Sequence, residues 1–469
     1  MRRRIRSARA ARDNRTSNGV APPDNRLAFM DHGLFAGQRA AGQELVIQGL
    51  WVYEHPVDFD GLRRFHHNLG YGLLGRRIER SPLPFARHRW VAHRGPSDID
   101  IAECARPRAE LSEWADDRAH MSADPELGPG WHLGVLPLTD GSTAVSLVVS
   151  HYLVDGLGLA VAVLDAVLGN KRDFGYPPPG SRTRRRAVAQ DVRQTAQDAP
   201  EVARALVVAA KTAREQARRR RDSAHSPGSR PAAVPIENGD DVVRVPGITV
   251  YVDLNDWDAR AKTLGGTSNA LAAALAVKLA ERLGRRRASD GAVTLLLPAT
   301  DRTEGDQRAN AVSLARVSVD PTPVTTDLSN LRAAIKQTLK TSRETPDESS
   351  QLLWLMALMP KRALKRMADA APADPDLPVF CSYLGDLGSV LRPDGTDAEY
   401  GTARGVWQHV TRQRLERMGG QMRVQSWRIS GKLGMTVAAY QPGAENTKPA
   451  LRELAARTLA EFGLTGEIG

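Results

Sequence analysis

The stretch Ser150-His151-Tyr152-Leu153-Val154-Asp155-Gly156 sets an imidazole and a carboxylate four residues apart between two apolar runs. Buried ionisable groups are costly unless they are paired or used. A histidine that leaves a buried strand into a turn can present one ring nitrogen to a cleft, where it can accept and return a proton near neutral pH. Asp155, one turn further on, can brace the loop or pair with a cation. Gly156 allows a tight backbone at a helix start. The plainer alternative makes His151 a hydrogen-bonded core residue and Asp155 the N-cap of the next helix, and spacing alone leaves both open. Two other groups compete for attention. His66-His67 is a histidine pair without a following Asp-Gly and falls in an expected helix, on a solvated face. Asp173-Phe174-Gly175-Tyr176 reads as a turn. The only cysteines, Cys104 and Cys381, are too few for a disulfide framework or a zinc site, so no metal is expected.

Two elements must hold the motif: a buried strand over GSTAVSLVVS (141–150) and a helix over LGLAVAVLDAVLG (157–169). Before them, GQELVIQGLWVYE (43–54) reads as a strand. Asp58 to Leu74 reads as a helix with Leu62, Phe65 and Leu69 on one face. After them the composition shifts. YPPPGSRTRRR (176–186) is a basic, proline-rich break, 201–221 an amphipathic basic helix with Val202, Leu206 and Ala210 on its apolar side, and 222–241 a linker. The second half begins with an expected strand pair over 242–254. Thr267-Ser268-Asn269 gives a Ser/Thr N-cap signal ahead of a helix over 270–284. Strands follow over 291–299, 310–320 and 377–388, the last with a turn, and a helix over 327–343. A hairpin over 421–442 turns at Ser430-Gly431-Lys432, and a closing helix spans 450–463. This order predicts a basic disordered arm (1–25), an N-terminal half (26–175), a basic helix and crossover linker (176–241) and a C-terminal half (242–469). Helices and strands mix without regular alternation, which argues for an α/β or α+β fold with mixed sheets rather than a barrel or repeat.

The chain has 469 residues, 41% of them hydrophobic, enough for substantial cores. Its formal net charge of +11 suits nucleic acid, an anionic membrane or an acidic cofactor without choosing among them. No aromatic platform or nucleic-acid motif accompanies the charge, so no nucleic-acid partner is expected. The arginine-rich N-terminus lacks an apolar h-region, and no apolar run approaches the length of a membrane span. The expected location is cytoplasmic, with the basic clusters at 182–186 and 217–221 able to dock peripherally on the inner membrane face or a lipid-droplet surface.

In context, SLVVSHYLVDGLGLAVAVLDAVLG resembles the H-H-x-x-x-D-G block of the CoA-dependent acyltransferase superfamily, which includes chloramphenicol acetyltransferase, condensation domains and the bacterial wax ester synthase/diacylglycerol acyltransferases. The likeness to the last group spans most of the chain. LAFMDHGLF (27–35), DPELGPGWHLGVL (124–136), TSNALAAALA (267–276), LLLPATDRTEGDQRANAVSL (295–314), CSYLGDLG (381–388) and GKLGMTVAA (431–439) resemble its blocks in order. The resemblance implies two chloramphenicol acetyltransferase-like halves with a tunnel between them. It implies acyl transfer from acyl-CoA, as donor substrate rather than bound cofactor, to a hydroxyl of diacylglycerol or a fatty alcohol. His151 would be the general base, with no acyl-enzyme. Asp155 would brace the loop with Arg302 as ion-pair partner, and the neighbourhood of Asn310 and Ser382 would face the oxyanion. Alternatives of the same lineage are a condensation-like or polyketide-associated enzyme fed by an acyl carrier protein, and a non-catalytic lipid- or partner-binding relative. The chain departs from the family pattern at three places: Ser150 stands for the first motif histidine, Ser382-Tyr383-Leu384-Gly385 for a Ser-Asn-x-Pro-Gly turn, and Ala309 for the Gly before Asn310.

Overall fold

The computed structural model describes residues 24–223, 241–344, 355–356, 359–370, 373–390 and 392–469. The first part of the chain runs α1 (Phe29–Ala40), β1 (Glu44–Tyr53), α2 (Phe59–Leu69), β2 (Arg76–Glu79), β3 (Arg89–Ala92), β4 (Asp100–Ile101), α3 (Leu111–His120), β5 (Trp131–Pro137), β6 (Thr143–Ser150), α4 (Gly156–Leu168) and α5 (Arg184–Ser223). The second runs β7 (Gly247–Asp253), α6 (Leu254–Thr263), α7 (Ser268–Arg282), β8 (Val293–Thr300), β9 (Val312–Val319), α8 (Ser329–Glu344), α9 (Lys361–Ala370) and β10 (Val379–Asp386). It closes with β11 (Tyr400–Gln408), α10 (Arg412–Arg417), β12 (Gln421–Ile429), β13 (Lys432–Tyr440), α11 (Lys448–Glu461) and β14 (Glu467–Ile468).

Two mixed sheets carry the two halves, as expected for an α/β chain of this type. The first has strand order β11-β1-β6-β5-β4, and the second β14-β7-β13-β12-β10-β8-β9. In the first, β6 is buried along its whole length between β1 and β5, which explains why both of its faces carry Ala, Val and Leu, with Ser146 satisfied by Gln48 Nε2 at 2.9 Å. In the second, α7 is buried on all sides. Its alanines let it approach the sheet closely, and a helix apolar all round belongs inside a core. Thr267 caps it, accepting from the Ala270 amide at 3.3 Å.

β11 belongs to the C-terminal half by sequence, yet it pairs along its length with β1. Its other edge meets the second sheet through side chains rather than a ladder. The Gly405 N–H donates to Gln425 Oε1 at 2.8 Å, Trp427 Nε1 to Gly401 O at 3.0 Å, and the Tyr251 hydroxyl to Gly401 O at 3.1 Å. Edge groups are thereby satisfied while the two sheets stay splayed, and a cavity opens in the gap.

Four expectations are corrected. The basic helix begins at Arg184, not near 201, and carries Pro200 within it. Its first turns are tied down by Arg182–Asp191 at 2.7 Å and by Arg26 and Arg87 on Asp198 at 3.1 and 2.9 Å. Farther on, Ala205 is its buried position, while Leu206 (55%) and Val207 (70%) are exposed. Residues 242–254 hold one strand, Gly247–Asp253, not a pair: Pro246, just before it, cannot donate to a ladder, and Val242 makes only an isolated bridge to Thr411. His66 is only half solvated, its ring packing edge-on against Trp131 at 5.2 Å, while His67 is exposed as expected. The expected arm at 1–23 and the linker at 224–240 lie outside the described residues. Among the described residues no helix is long and apolar enough to cross a membrane.

Burial drives three histidines of the first half well below the ordinary imidazole range: His32 to about 3, and His88 and His132 to about 4. The His32 and His88 rings stack at 4.3 Å, and His132 Nδ1 lies 2.8 Å from the Arg118 guanidinium, where only a neutral imidazole can accept. The fold binds these side chains neutral, whereas the unfolded chain protonates them below pH ~6.5. Their contribution is full above that pH and is lost as pH falls toward 4. The melting temperature is therefore expected to be flat from pH 8 to 7 and to drop from about 6.5 downward, before ordinary carboxylates titrate. A profile level down to pH 4.5 would contradict the neutral burial.

Candidate functional site

β6 delivers His151 to its position. The last residue of the strand, Ser150, pairs with Val46, and the His151 amide donates to Leu45 O at 2.9 Å. The backbone thus remains tied to β1 while the side chain turns into the cavity between the sheets. The His151 pKa is lowered, with burial the leading cause. Opposing it, its own backbone carbonyl holds one ring N–H, and Asp155 and the Asn310 side chain stabilise charge. The result is a neutral imidazole with one nitrogen held in place, the form a general base needs.

Asp155 does two jobs that the sequence reading had set as alternatives. Its Oδ1 accepts from the Gly158 amide at 2.7 Å as the N-cap of α4. Its Oδ2 accepts from Arg302 Nη2 at 2.7 Å and from the Ala311 amide at 2.9 Å. Arg302 then grips the 306–309 loop through the carbonyls of Asp306, Arg308 and Ala309 at 3.3, 3.1 and 3.0 Å. The close approach falls at Gly158, not Gly156. A Cβ on Gly158 would sit 2.7 Å from Val154 Cγ2 and 3.1 Å from the Arg302 guanidinium carbon, whereas one on Gly156 would meet only Leu384 at 3.7 Å. Gly156 has no positive φ; it lies in the cavity wall at the start of α4.

Asp31, on α1, was missed as a positioning residue. It is fully buried, and its carboxylate accepts from the Ala309 and Asn310 amides, each at 2.8 Å. Burial raises its pKa against these two backbone donors. Asp31 and Asp155 together therefore hold three successive amides, 309 to 311, and fix Asn310 beside His151. The sequence signal was the Met30-Asp31 pair in the first resemblance block, which carries no role by spacing alone. Asn310 directs its amide nitrogen at Asp31 Oδ1 (3.3 Å) and at the His151 carbonyl (3.4 Å). It is placed to hold the histidine backbone rather than to face an oxyanion. Ser382, buried on β10, lines the opposite wall.

The cavity measures about 570 Å³. His151, Asp155, Gly156, Asn310 and Ser382 all line it, and Arg302 is bonded to Asp155 behind the wall. Most of the remaining surface is apolar, including Leu34, Trp51, Leu159, Phe380, Leu387 and Val390. Ser150, which stands for the first motif histidine, is buried in the strand ladder and is not part of the wall. His66 and His67 are elsewhere. Asp173 closes a turn by accepting from the Gly175 amide at 2.8 Å.

No family model matches the sequence, and no curated protein matches it. Solved structures do match, over nearly the whole chain. The first condensation domain of the CDA synthetase superposes with a TM-score of 0.52 at 12% identity, covering 94% of this chain and 99% of that one. The trichothecene 15-O-acetyltransferase of Fusarium sporotrichioides gives 0.52 at 13%, covering 93% and 94%. Polyketide synthase associated protein 5 of Mycobacterium tuberculosis gives 0.50 at 14%, covering 94% and 99%. The chain thus shares the mixed α/β fold of these structures, in two halves.

Proposed function

We propose that the chain is an acyltransferase that moves an acyl group from a thioester to a hydroxyl, with His151 as general base and no acyl-enzyme. The observation that carries this is a neutral, backbone-anchored imidazole opening into an apolar cavity at the junction of two sheets. The acceptor hydroxyl gives its proton to the free ring nitrogen as its oxygen bonds to the thioester carbon. The tetrahedral intermediate then collapses, the C–S bond breaks, and the imidazolium returns the proton to the leaving thiolate. Ser382 and backbone amides are the candidates for meeting the oxyanion. Apolar walls suit a long acyl chain.

The finer assignment is a wax ester synthase/diacylglycerol acyltransferase type that takes long-chain acyl-CoA and passes it to diacylglycerol or a fatty alcohol. It is supported by the ordered sequence blocks. The carrier-protein alternative is supported by the fold shared with a condensation domain and with a protein described as polyketide synthase associated. The exposed Leu206 and Val207 on basic α5 suit shallow contact with a lipid surface.

The deciding experiment incubates the purified chain with acyl-CoA or with the same acyl group on a carrier protein, against a panel of hydroxyl acceptors that includes neutral alcohols, diacylglycerol and hydroxy acids, with products read by mass. Ester formation from acyl-CoA is the expected result. Transfer from the carrier alone would move the chain to the condensation-like reading. Unchanged thioester with every donor and every acceptor, hydroxy acids included, would sink the enzyme assignment.

A further inference from the structure

The cavity that holds His151 also holds an arginine with no carboxylate partner among the described residues. Arg423 lies on β12, opposite Phe380 on β10 and Ala438 on β13. Strand alternation sends Met422 and Val424 into the core of the second sheet and Arg423 and Gln425 to the cavity side. The recorded partners of its guanidinium are neutral: Gly405 O at 3.2 Å, Gln421 Oε1 at 3.3 Å and the face of Trp407 at 5.3 Å. Among the described residues no carboxylate pairs with it. Its neighbour Arg404 makes the contrast, since Arg404 is matched by Asp116 at 2.8 Å and by Gln48 at 2.7 Å. Burial pushes the Arg423 pKa down to about 9. An unpaired cation at such a site costs stability unless a ligand supplies the counter-charge.

Its position restricts what that ligand group can be. The His151 amide is bonded to Leu45, Leu45 lies opposite Trp407, and Arg423 lies over the Trp407 ring. Arg423 is also among the charges that hold His151 neutral. The anion therefore belongs close to the reacting bond. The phosphates of a pantetheine donor sit at the far end of its arm from the thioester, so they do not fit this seat. A carboxylate on one of the two reactants does. We propose, on the reading of the chain as a hydroxyl acyltransferase, that Arg423 seats a carboxylate of the acyl acceptor, so that the acceptor is a hydroxy acid rather than a neutral alcohol. A planar guanidinium with neutral neighbours presents a charge-assisted, bidentate face to such a group.

The test uses 3-hydroxyoctanoate and octane-1,3-diol, which differ in the carboxylate, titrated calorimetrically into the full chain without donor. The wild type is expected to bind the acid at least about tenfold more tightly, the scale of one charge-assisted contact. Arg423→Gln is expected to bind the two equally, and Arg423→Lys to keep part of the preference. Equal binding of acid and diol by the wild type would overturn the proposal, as would a preference that survives in Arg423→Gln. Should Arg423→Gln fail to fold, the wild-type comparison and the Lys variant still decide. A donor arm compares succinyl-CoA with butyryl-CoA. A succinyl preference lost in Arg423→Gln would place the carboxylate on the acyl group and overturn the acceptor assignment. Tight binding of the acid without any turnover would sink the acyltransferase reading and leave the seat standing.

Discussion

His151→Ala is expected to slow acyl transfer by roughly 10²–10⁴-fold, the range of a positioned general base, with little change in melting temperature. The backbone of His151 is held independently of its ring: its amide by Leu45, its carbonyl by Asn310. Removing the imidazole therefore leaves the turn in place and takes away only the proton acceptor. The loss is expected mainly in kcat, because the apolar wall proposed to hold the acyl chain is untouched. The acid limb of kcat/KM follows from the sign of the shift. Burial lowers the His151 pKa, so the neutral base persists below the ordinary imidazole value. Activity is expected to hold from pH 7 to below about 6.5 before it falls. Turnover of His151→Ala within twofold of wild type would remove His151 from the chemistry. An acid limb centred above pH 7 would contradict the environment described for it.

How far the sequence discloses this site differs residue by residue. His151 and Asp155 are legible because their spacing, the strand before them and the helix after them are all local. The Arg302 pairing comes from resemblance alone, since 147 residues separate it from Asp155 and no local pattern joins them. Ser150 marks a departure in sequence that lies outside the cavity wall, because the ladder buries it. Gly156 is the reverse case: the motif draws attention to it, while the tight packing falls on Gly158. Asp31 and β11 escape for a common reason. Asp31 acts on amides far along the chain. Tyr400–Gln408 lacks a strong period and takes its place only because β1 offers an open edge. Arg423 reads as one of many arginines in a basic chain until its partners are counted and no acid is among them.

Arg302→Ala is expected to be the most damaging single change to the fold, at about 3–5 kcal/mol, the cost of leaving a buried charge unpaired. Both side chains are almost wholly enclosed, Arg302 at 6% and Asp155 at 1%. The loss would consume much of a typical stability of about 5–15 kcal/mol. Asp155→Asn is expected to cost less. The amide oxygen can still cap α4 at Gly158, and Arg302 keeps its three carbonyl partners. What Asp155→Asn loses is the charge that draws the Ala311 amide toward α4, so its neighbour Asn310 loosens against His151. Activity should therefore fall further than stability does. The two effects separate in a cycle with Asp155→Asn, Arg302→Gln and the double variant, each followed by urea unfolding and by kcat. The double variant removes both charges together, so it is expected to be more stable than the sum of the single losses predicts, by more than the ~0.5 kcal/mol that unlinked sites show. Its kcat should stay as low as that of the worse single variant, because removing both charges does not restore the hold on Asn310. Strict additivity in stability would mean that the pair does not act as a unit. Full recovery of kcat in the double variant would mean that Asp155 acts on His151 by charge alone and not by fixing the three amides that the Asp31 carboxylate shares with it.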